Sequence, residues 1–391
     1  MKICLIEPYY GGSHATLVDL LGKRYPNHEL FSMRAKKWHW KLRASALTFS
    51  QQIPLHAGYD VLFASSMVNL ADLLALRVDL QAVPNIILYC HENQLEYPKQ
   101  SDEGGGEEER DHYFAHANIM SCLVAKQVLF NSSYNLESFL GKIPAFFNHL
   151  PMDKTCRPEG KRICDEIRAK SKVLFMLIDL PISLGNPNST EEEGEKGKRP
   201  LRIGFPHRWE HDKDPAMFVR VLQRLREKHC AFTVRVFGGE AYENVSIQDN
   251  FAKELGSIEM LEQCGKLESR AEYLQSLAQC DVVVSTARHE FFGVSMVEAS
   301  LLGCAVLCPN RLAYPEVFDR SALYNTEAQL VKALQSMCIN PPKFNHTVSQ
   351  LLPGMTSKVD INRDGGLAFD QAVLHFPQPA VARKLLKTTD I

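Results

Sequence analysis

His289-Glu-Phe-Phe-Gly-Val-Ser-Met-Val-Glu298 holds two glutamates eight residues apart, with a glycine between them. Just upstream, Asp281-Val-Val-Val-Ser-Thr286 is an apolar run of strand length. Just downstream, Met296-Val-Glu-Ala-Ser-Leu-Leu302 has helical character and stops at Gly303. The stretch is therefore a strand-to-helix turn, with one carboxylate ahead of the helix and one inside it. A helix start presents unpaired N–H groups and partial positive charge, so it attracts phosphate. Gly293 lets an anion approach the backbone closely. Phe292, Gly293 and Val294 are thus expected to hold a diphosphate. Glu298, about one turn in, is placed to accept hydrogen bonds from a ribose, and Glu290 to contact the group beyond the diphosphate. The bland alternative is a pair of solvated helix-end carboxylates.

Working outward, the same strand-then-helix rhythm recurs. Leu201–Phe205, Phe232–Phe237, Asp281–Ser285 and Ala305–Cys308 read as strands, with helices at Pro215–Arg226, Arg270–Leu277 and Ser295–Leu302. An earlier series has strands at Ile3–Glu7, Val61–Ala64, Ile86–Cys90, Val128–Asn131 and Val173–Leu180. Its helices are expected at Ser13–Lys23, Asn69–Leu76 and Tyr113–Ala125. Alternation of this kind indicates α/β architecture with parallel sheets covered on both faces. A chain of 391 residues is long for one core. The reading is two doubly wound, Rossmann-like domains facing a cleft. Residues 1–180 form the first, 201–340 the second, and 181–200 a polar linker around Asn186-Pro-Asn-Ser-Thr190. Residues 341–391 are a tail with no clear pattern beyond a helix near Ala380–Leu386. Lys99–Glu109 reads as an acidic, glycine-rich loop.

In doubly wound sheets, ligands sit beyond the carboxyl ends of the strands. Gly11-Gly-Ser-His14 follows the first strand there, with Gly12 and His14 as candidate donor contacts. His91-Glu-Asn93 follows Ile86–Cys90, and His207-Arg-Trp-Glu-His-Asp-Lys213 follows Leu201–Phe205. Arg208 and Lys213 would bring two positive charges to the diphosphate, unless they merely pair with Glu210 or Asp212. His91 is a candidate catalytic residue, with a strand-end structural role as its alternative. His91-Glu92 and His289-Glu290 each lack the second histidine of a zinc motif, and no cysteine cluster helps, so no metal is expected. Tyr314-Pro-Glu316 reads as a loop after the last core strand, near the nucleobase.

The bulk properties narrow the classes. Net charge is −2, so polyanion binding must be local. The densest cationic and aromatic segment holds Arg34, Lys36, Lys37, Trp38, Trp40, Lys41 and Arg43. Cations meet phosphates and bases stack on aromatic faces, so RNA contact competes here with a solvated basic turn. Eleven dispersed cysteines point to reduced thiols and a cytoplasmic or nuclear protein. No apolar run approaches a membrane span. No Gly-x-Gly-x-x-Gly follows a first strand, so a dinucleotide is disfavoured.

The pair Glu290-x7-Glu298, preceded by Arg208 and Lys213, resembles the retaining group 1 glycosyltransferases of the GT-B fold. The segments Glu7–His14, Lys36–Trp40, His91–Leu95, Pro206–Pro215 and His289–Gly293 are similar to one branch of it, the tRNA-queuosine mannosyltransferases. That resemblance covers roughly residues 1–150 and 200–335. It implies GDP-mannose as donor, with no further cofactor. It also implies queuosine at the wobble position of aspartate tRNA as acceptor, and retention without a protein nucleophile or a metal. Two rivals share the fold. A catalytically silent scaffold would bind nucleotide or RNA without turnover, and a nucleotide-sugar epimerase would need no RNA surface. Many GT-B enzymes return a C-terminal helix to the first domain, which the tail gives no sign of doing.

Overall fold

The computed structural model describes residues 1–96, 112–151, 153–180, 199–238, 260–340, 350–360 and 362–374. The first half runs β1 (Ile3–Tyr10), α1 (Gly12–Arg24), β2 (His28–Arg34), α2 (Trp38–Gln52), β3 (Val61–Ser65), α3 (Leu70–Leu76) and α4 (Val78–Gln81). It continues with β4 (Asn85–Cys90), α5 (His112–Val124), β5 (Gln127–Phe130), α6 (Ser133–Asn148), α7 (Gly160–Ala169) and β6 (Ser171–Val173). The second half runs β7 (Leu201–Phe205), α8 (Pro215–Glu227), β8 (Phe232–Val236), β9 (Leu261–Cys264), α9 (Arg270–Leu277), β10 (Val282–Val284) and α10 (Val294–Leu301). Then come β11 (Ala305–Pro309), α11 (Tyr314–Val317), β12 (Leu323–Tyr324), α12 (Glu327–Ile339), α13 (Met355–Val359) and α14 (Asp364–Leu374).

Two six-stranded sheets result, ordered β2-β1-β3-β4-β5-β6 and β12-β11-β10-β7-β8-β9. Their strands pair in parallel throughout. The apolar runs explain this. Residues Val61–Ser65 and Val282–Val284 are buried at every position, which requires helices on both faces of the sheet. The two doubly wound sheets match the expectation. Strand order reverses between β1 and β3 in one sheet and between β7 and β10 in the other. Those switch points are where a crevice opens and ligands bind. The chain after β7 carries Arg208 and Lys213, and the chain after β10 carries Glu290 and Gly293.

Three features differ from the sequence reading. The run Val173–Leu180 is not one strand: only Ser171–Val173 pairs with β5. Leu174, Met176, Leu177 and Ile178 instead join an apolar cluster that includes Leu5 of the first sheet and Val283 of the second. Their apolar character reflects a crossing between cores, not a ladder. β2, α2, α6 and α7 are real elements that periodicity did not single out. The tail also has structure. Phe369 of α14 is fully buried, 5.9 Å from the Tyr89 ring. Asp370 accepts hydrogen bonds from Arg24 and Tyr25, and Asn85 donates to the Val373 carbonyl. Burying one phenylalanine contributes about 2–3 kcal/mol, so α14 is held on the first sheet's side of the molecule. Residues 181–198 of the expected linker 181–200, the acidic loop and the Ala380–Leu386 helix lie outside the described residues.

Candidate active site at the cleft

The second sheet contributes the charged half. Gly293, whose φ is +83°, is the N-cap residue ahead of α10, and no side chain caps the helix. A Cβ on Gly293 would lie 2.7 Å from the Tyr314 ring, so glycine is required by both backbone and space. Just ahead of it, Glu290 accepts from Lys213 Nζ at 3.2 Å and from the Phe291 N–H at 3.1 Å. Lys213 also donates to the His289 carbonyl at 2.8 Å and pairs with Asp212 at 3.2 Å. Burial pushes the Glu290 carboxyl up, but Lys213 and its other donors outweigh this and hold it at about 2. Burial lowers Lys213, yet Glu290 and Asp212 keep it above its ordinary value. Lys213 and Glu290 are therefore ionised, and the three side chains are fixed by their mutual contacts. Arg208 differs: its side chain is 51% exposed and pairs with Glu210 at 3.1 Å.

Glu298 is buried in α10 and accepts from Arg270 Nη2 at 2.5 Å. Burial pushes its carboxyl up against the pull of Arg270 and Tyr273. One of its oxygens is thus engaged from α9, which the sequence reading did not anticipate. Val294 opens α10, and Phe292 is buried against Phe175 at 5.9 Å.

The first sheet contributes a histidine pair. α1 starts at Gly12, whose φ is +54°, again without a side-chain cap. His14, in the first turn, stacks on His91 with centroids 3.9 Å apart. Its Nδ1 lies 3.1 Å from Glu7, a fully buried carboxylate that also accepts from the Tyr9 N–H. Burial alone would lower His14, but Glu7 holds it above its usual value; burial and His14 hold His91 well below. Beside them, burial pushes the Glu92 carboxyl up, against the pull of His14, Arg208 and Lys213. The last two come from the other sheet, so the two halves face one another.

Two buried atoms, His91 Nε2 and His207 Nε2, have no hydrogen-bond partner among the described residues. Buried polar atoms left in this way are ordinarily satisfied by ligand or water. Burial, with Lys213, lowers His207 to about 4, so it is neutral near pH 7. Glu7, His14 and His91 each offer a ligand atom within 4.8 Å of the others, and a cation could use them. Their spacing along the chain hides this group, within which Glu7 and His14 already contact one another at 3.1 Å.

The cationic segment is no turn. Lys37, in the left-handed region, is the N-cap of α2, and Trp38, Trp40, Lys41 and Arg43 lie in its first two turns. Trp38 packs on Phe114 at 4.8 Å, and the Arg43 guanidinium lies 4.4 Å from the same ring. Trp40 is 60% exposed. Arg34 ends β2, and Lys36 bridges the two elements. Sequence reasoning gave Glu7 and His207 no role, took Asp212 only as an alternative partner for Arg208 and Lys213, read Glu316 into a loop where the structure has the short helix α11, and missed Arg270 and Tyr273. Only Glu7 and His207, at the ends of apolar runs, carried a local signal.

Comparison with known proteins places these observations. Residues 2–178 match a family described as tRNA-queuosine alpha-mannosyltransferase N-terminal, and residues 188–347 match glycosyl transferases group 1. A tRNA-queuosine alpha-mannosyltransferase of Drosophila melanogaster is 41% identical over 350 residues, 88% of each chain. Among solved structures, a sucrose-phosphate synthase of Thermosynechococcus elongatus superposes with a TM-score of 0.65 at 12% identity, over 95% of this chain and 98% of that one. A lipopolysaccharide outer core galactosyltransferase gives 0.60 at 13%, over 95% and 99%. Those two likenesses carry the fold, which is GT-B. With the sequence match over most of its length, the chain belongs to the tRNA-queuosine alpha-mannosyltransferase family of hexosyltransferases.

Proposed function

We propose that this protein transfers mannose from GDP-mannose to queuosine at the wobble position of aspartate tRNA, with retention and without a divalent metal. The observation that carries the reading is the ionised Lys213–Glu290 pair set against the uncapped, glycine-initiated start of α10. Lys213, Arg208 and the α10 amides receive the diphosphate and the charge that grows on it as the glycosidic bond breaks. Glu290 contacts the sugar, and Glu298, held by Arg270 and Tyr273, accepts from the ribose. His14 and His91 face the sugar from the first sheet, and Gly12 leaves room for it. The departing phosphate oxygen takes the acceptor hydroxyl's proton on the same face, so the enzyme's task is orientation and charge stabilisation.

The α2 segment receives the tRNA: Lys36, Lys37 and Lys41 meet phosphates and Trp40 stacks on a base. Among the described residues no helix is long and apolar enough to cross a membrane. The test incubates the protein with several nucleotide sugars and bulk tRNA, with EDTA present, and measures sugar in the RNA fraction. Mannose from GDP-mannose in aspartate tRNA supports the reading. A free-sugar or epimerised product, or no turnover at all, overturns it. Activity restored only by manganese overturns the metal-independent part and points to Glu7, His14 and His91.

A further inference from the structure

Glu316 lies in α11, after the fifth strand of the second half in chain order, yet its carboxylate bonds to the first half. Its Oε2 accepts from the Ser133 N–H at 2.7 Å and its Oε1 from the Tyr134 N–H at 2.5 Å. These are the first two residues of α6, and the third N–H, of Asn135, is taken by the Ser132 hydroxyl. A helix start has such donors to offer and carries partial positive charge, so a bidentate carboxylate suits it. The contact is thus a helix cap supplied by the opposite domain, 182 residues away. A second contact lies alongside, where the Tyr134 and Phe291 rings are 6.1 Å apart.

α11 also touches the donor turn. Tyr314, two residues before Glu316, bonds through its hydroxyl to Ser285 at 2.7 Å and closes the space beside Gly293. One short helix therefore supports the turn proposed to hold the diphosphate and caps a helix of the half proposed to hold the acceptor. We infer that Glu316 is a positioning residue for glycosyl transfer: its carboxylate fixes the first domain in register with the donor turn. It touches neither substrate. Its effect is on how often the two halves meet in the reactive arrangement.

The inference rests on the proposed function only for its kinetic arm. The experiment uses the full chain with E316A, E316Q and, as a control, S132A. The side-chain amide of E316Q would keep one acceptor and turn an NH2 toward the other N–H, so E316Q is expected to behave like E316A. In both, the radius of gyration in solution scattering without ligand should rise above wild type. The turnover number of mannosyl transfer should fall about tenfold, while GDP affinity by calorimetry stays within about twofold. S132A removes a cap of the same helix from inside the first domain. It should lower the melting temperature comparably, leaving radius and turnover at wild-type values. A Glu316 variant that only lowers the melting temperature, or that keeps either the wild-type radius or the wild-type turnover number, overturns the inference. If the wild-type chain transfers no sugar, the function proposed above fails, and the radius comparison alone decides the role of Glu316.

Discussion

The charged groups of the donor turn and those of α2 are built on opposite plans. Lys213 is nearly buried and already shared among Glu290, Asp212 and the His289 carbonyl. On α2, Trp40 stands out in solvent, while Trp38 and Arg43 lean on Phe114. A charge held by fixed partners needs little rearrangement when negative charge develops beside it, so each such group matters singly. Cations on an open helix act through their number, by displacing counterions from a polyanion. The difference predicts sharp single-residue effects on one side and additive, salt-dependent effects on the other.

The comparison breaks most readily at Lys213. Lys213→Ala should lower the single-turnover rate about 10²- to 10³-fold. It should also destabilise the fold, because Asp212 and Glu290 would be left without their shared cation. A wild-type rate would remove the diphosphate assignment. Arg208→Ala should cost less, about tenfold in rate, because the half-exposed guanidinium is screened by water and by Glu210. An equal loss in the two variants would mean that burial does not set the ranking.

On α2, replacing Lys36, Lys37 and Lys41 together by Ala should weaken tRNA binding several-fold near physiological salt. The slope of log affinity against log salt should flatten by up to about 2. Trp40→Ala should weaken binding at every salt concentration without changing that slope, since stacking releases no counterions. Donor affinity should be unaffected in all of these variants. A wild-type salt slope in the triple variant would send the search for the RNA surface elsewhere.

The smallest effect concerns His14. Its folded pKa is raised above the ordinary 6.5, with Glu7 outweighing the cost of burial. The stabilisation from this ion pair is therefore full below about pH 6.5 and fades as the pH climbs through the raised value. His14→Gln should lower the melting temperature at pH 6 and converge toward wild type by pH 9. Parallel curves would mean that His14 takes up no proton beside Glu7 over this range, so that no ion pair forms there.

Most strands were legible because parallel strands covered on both faces read as unbroken apolar runs, as in Val282–Val284. β2 escaped because His28–Arg34 is only partly buried and mixes charged with apolar residues. α2 escaped because its first turns are cationic and aromatic, and its apolar residues Leu42, Ala46 and Phe49 come later. In the candidate site, the glycine, lysine and glutamate positions could be read from a strand end followed by a helix. Their partners could not. Arg270 reaches Glu298 from another helix, and Glu316 reaches α6 across 182 residues. Local pattern reports where a side chain starts, and only the packing of distant segments decides what it meets.

The docking of α14 has a consequence for how the chain is made. Arg24 and Tyr25 leave the ribosome early, yet their partner Asp370 is synthesised 346 residues after Arg24. At about 5–20 residues per second, the first sheet waits roughly 20 to 70 s for the helix that covers Tyr89. Through that interval the nascent first domain presents an uncovered apolar patch. A stalled or truncated translation product would carry it permanently, which makes α14 a natural checkpoint between an assembled enzyme and a client of the chaperones.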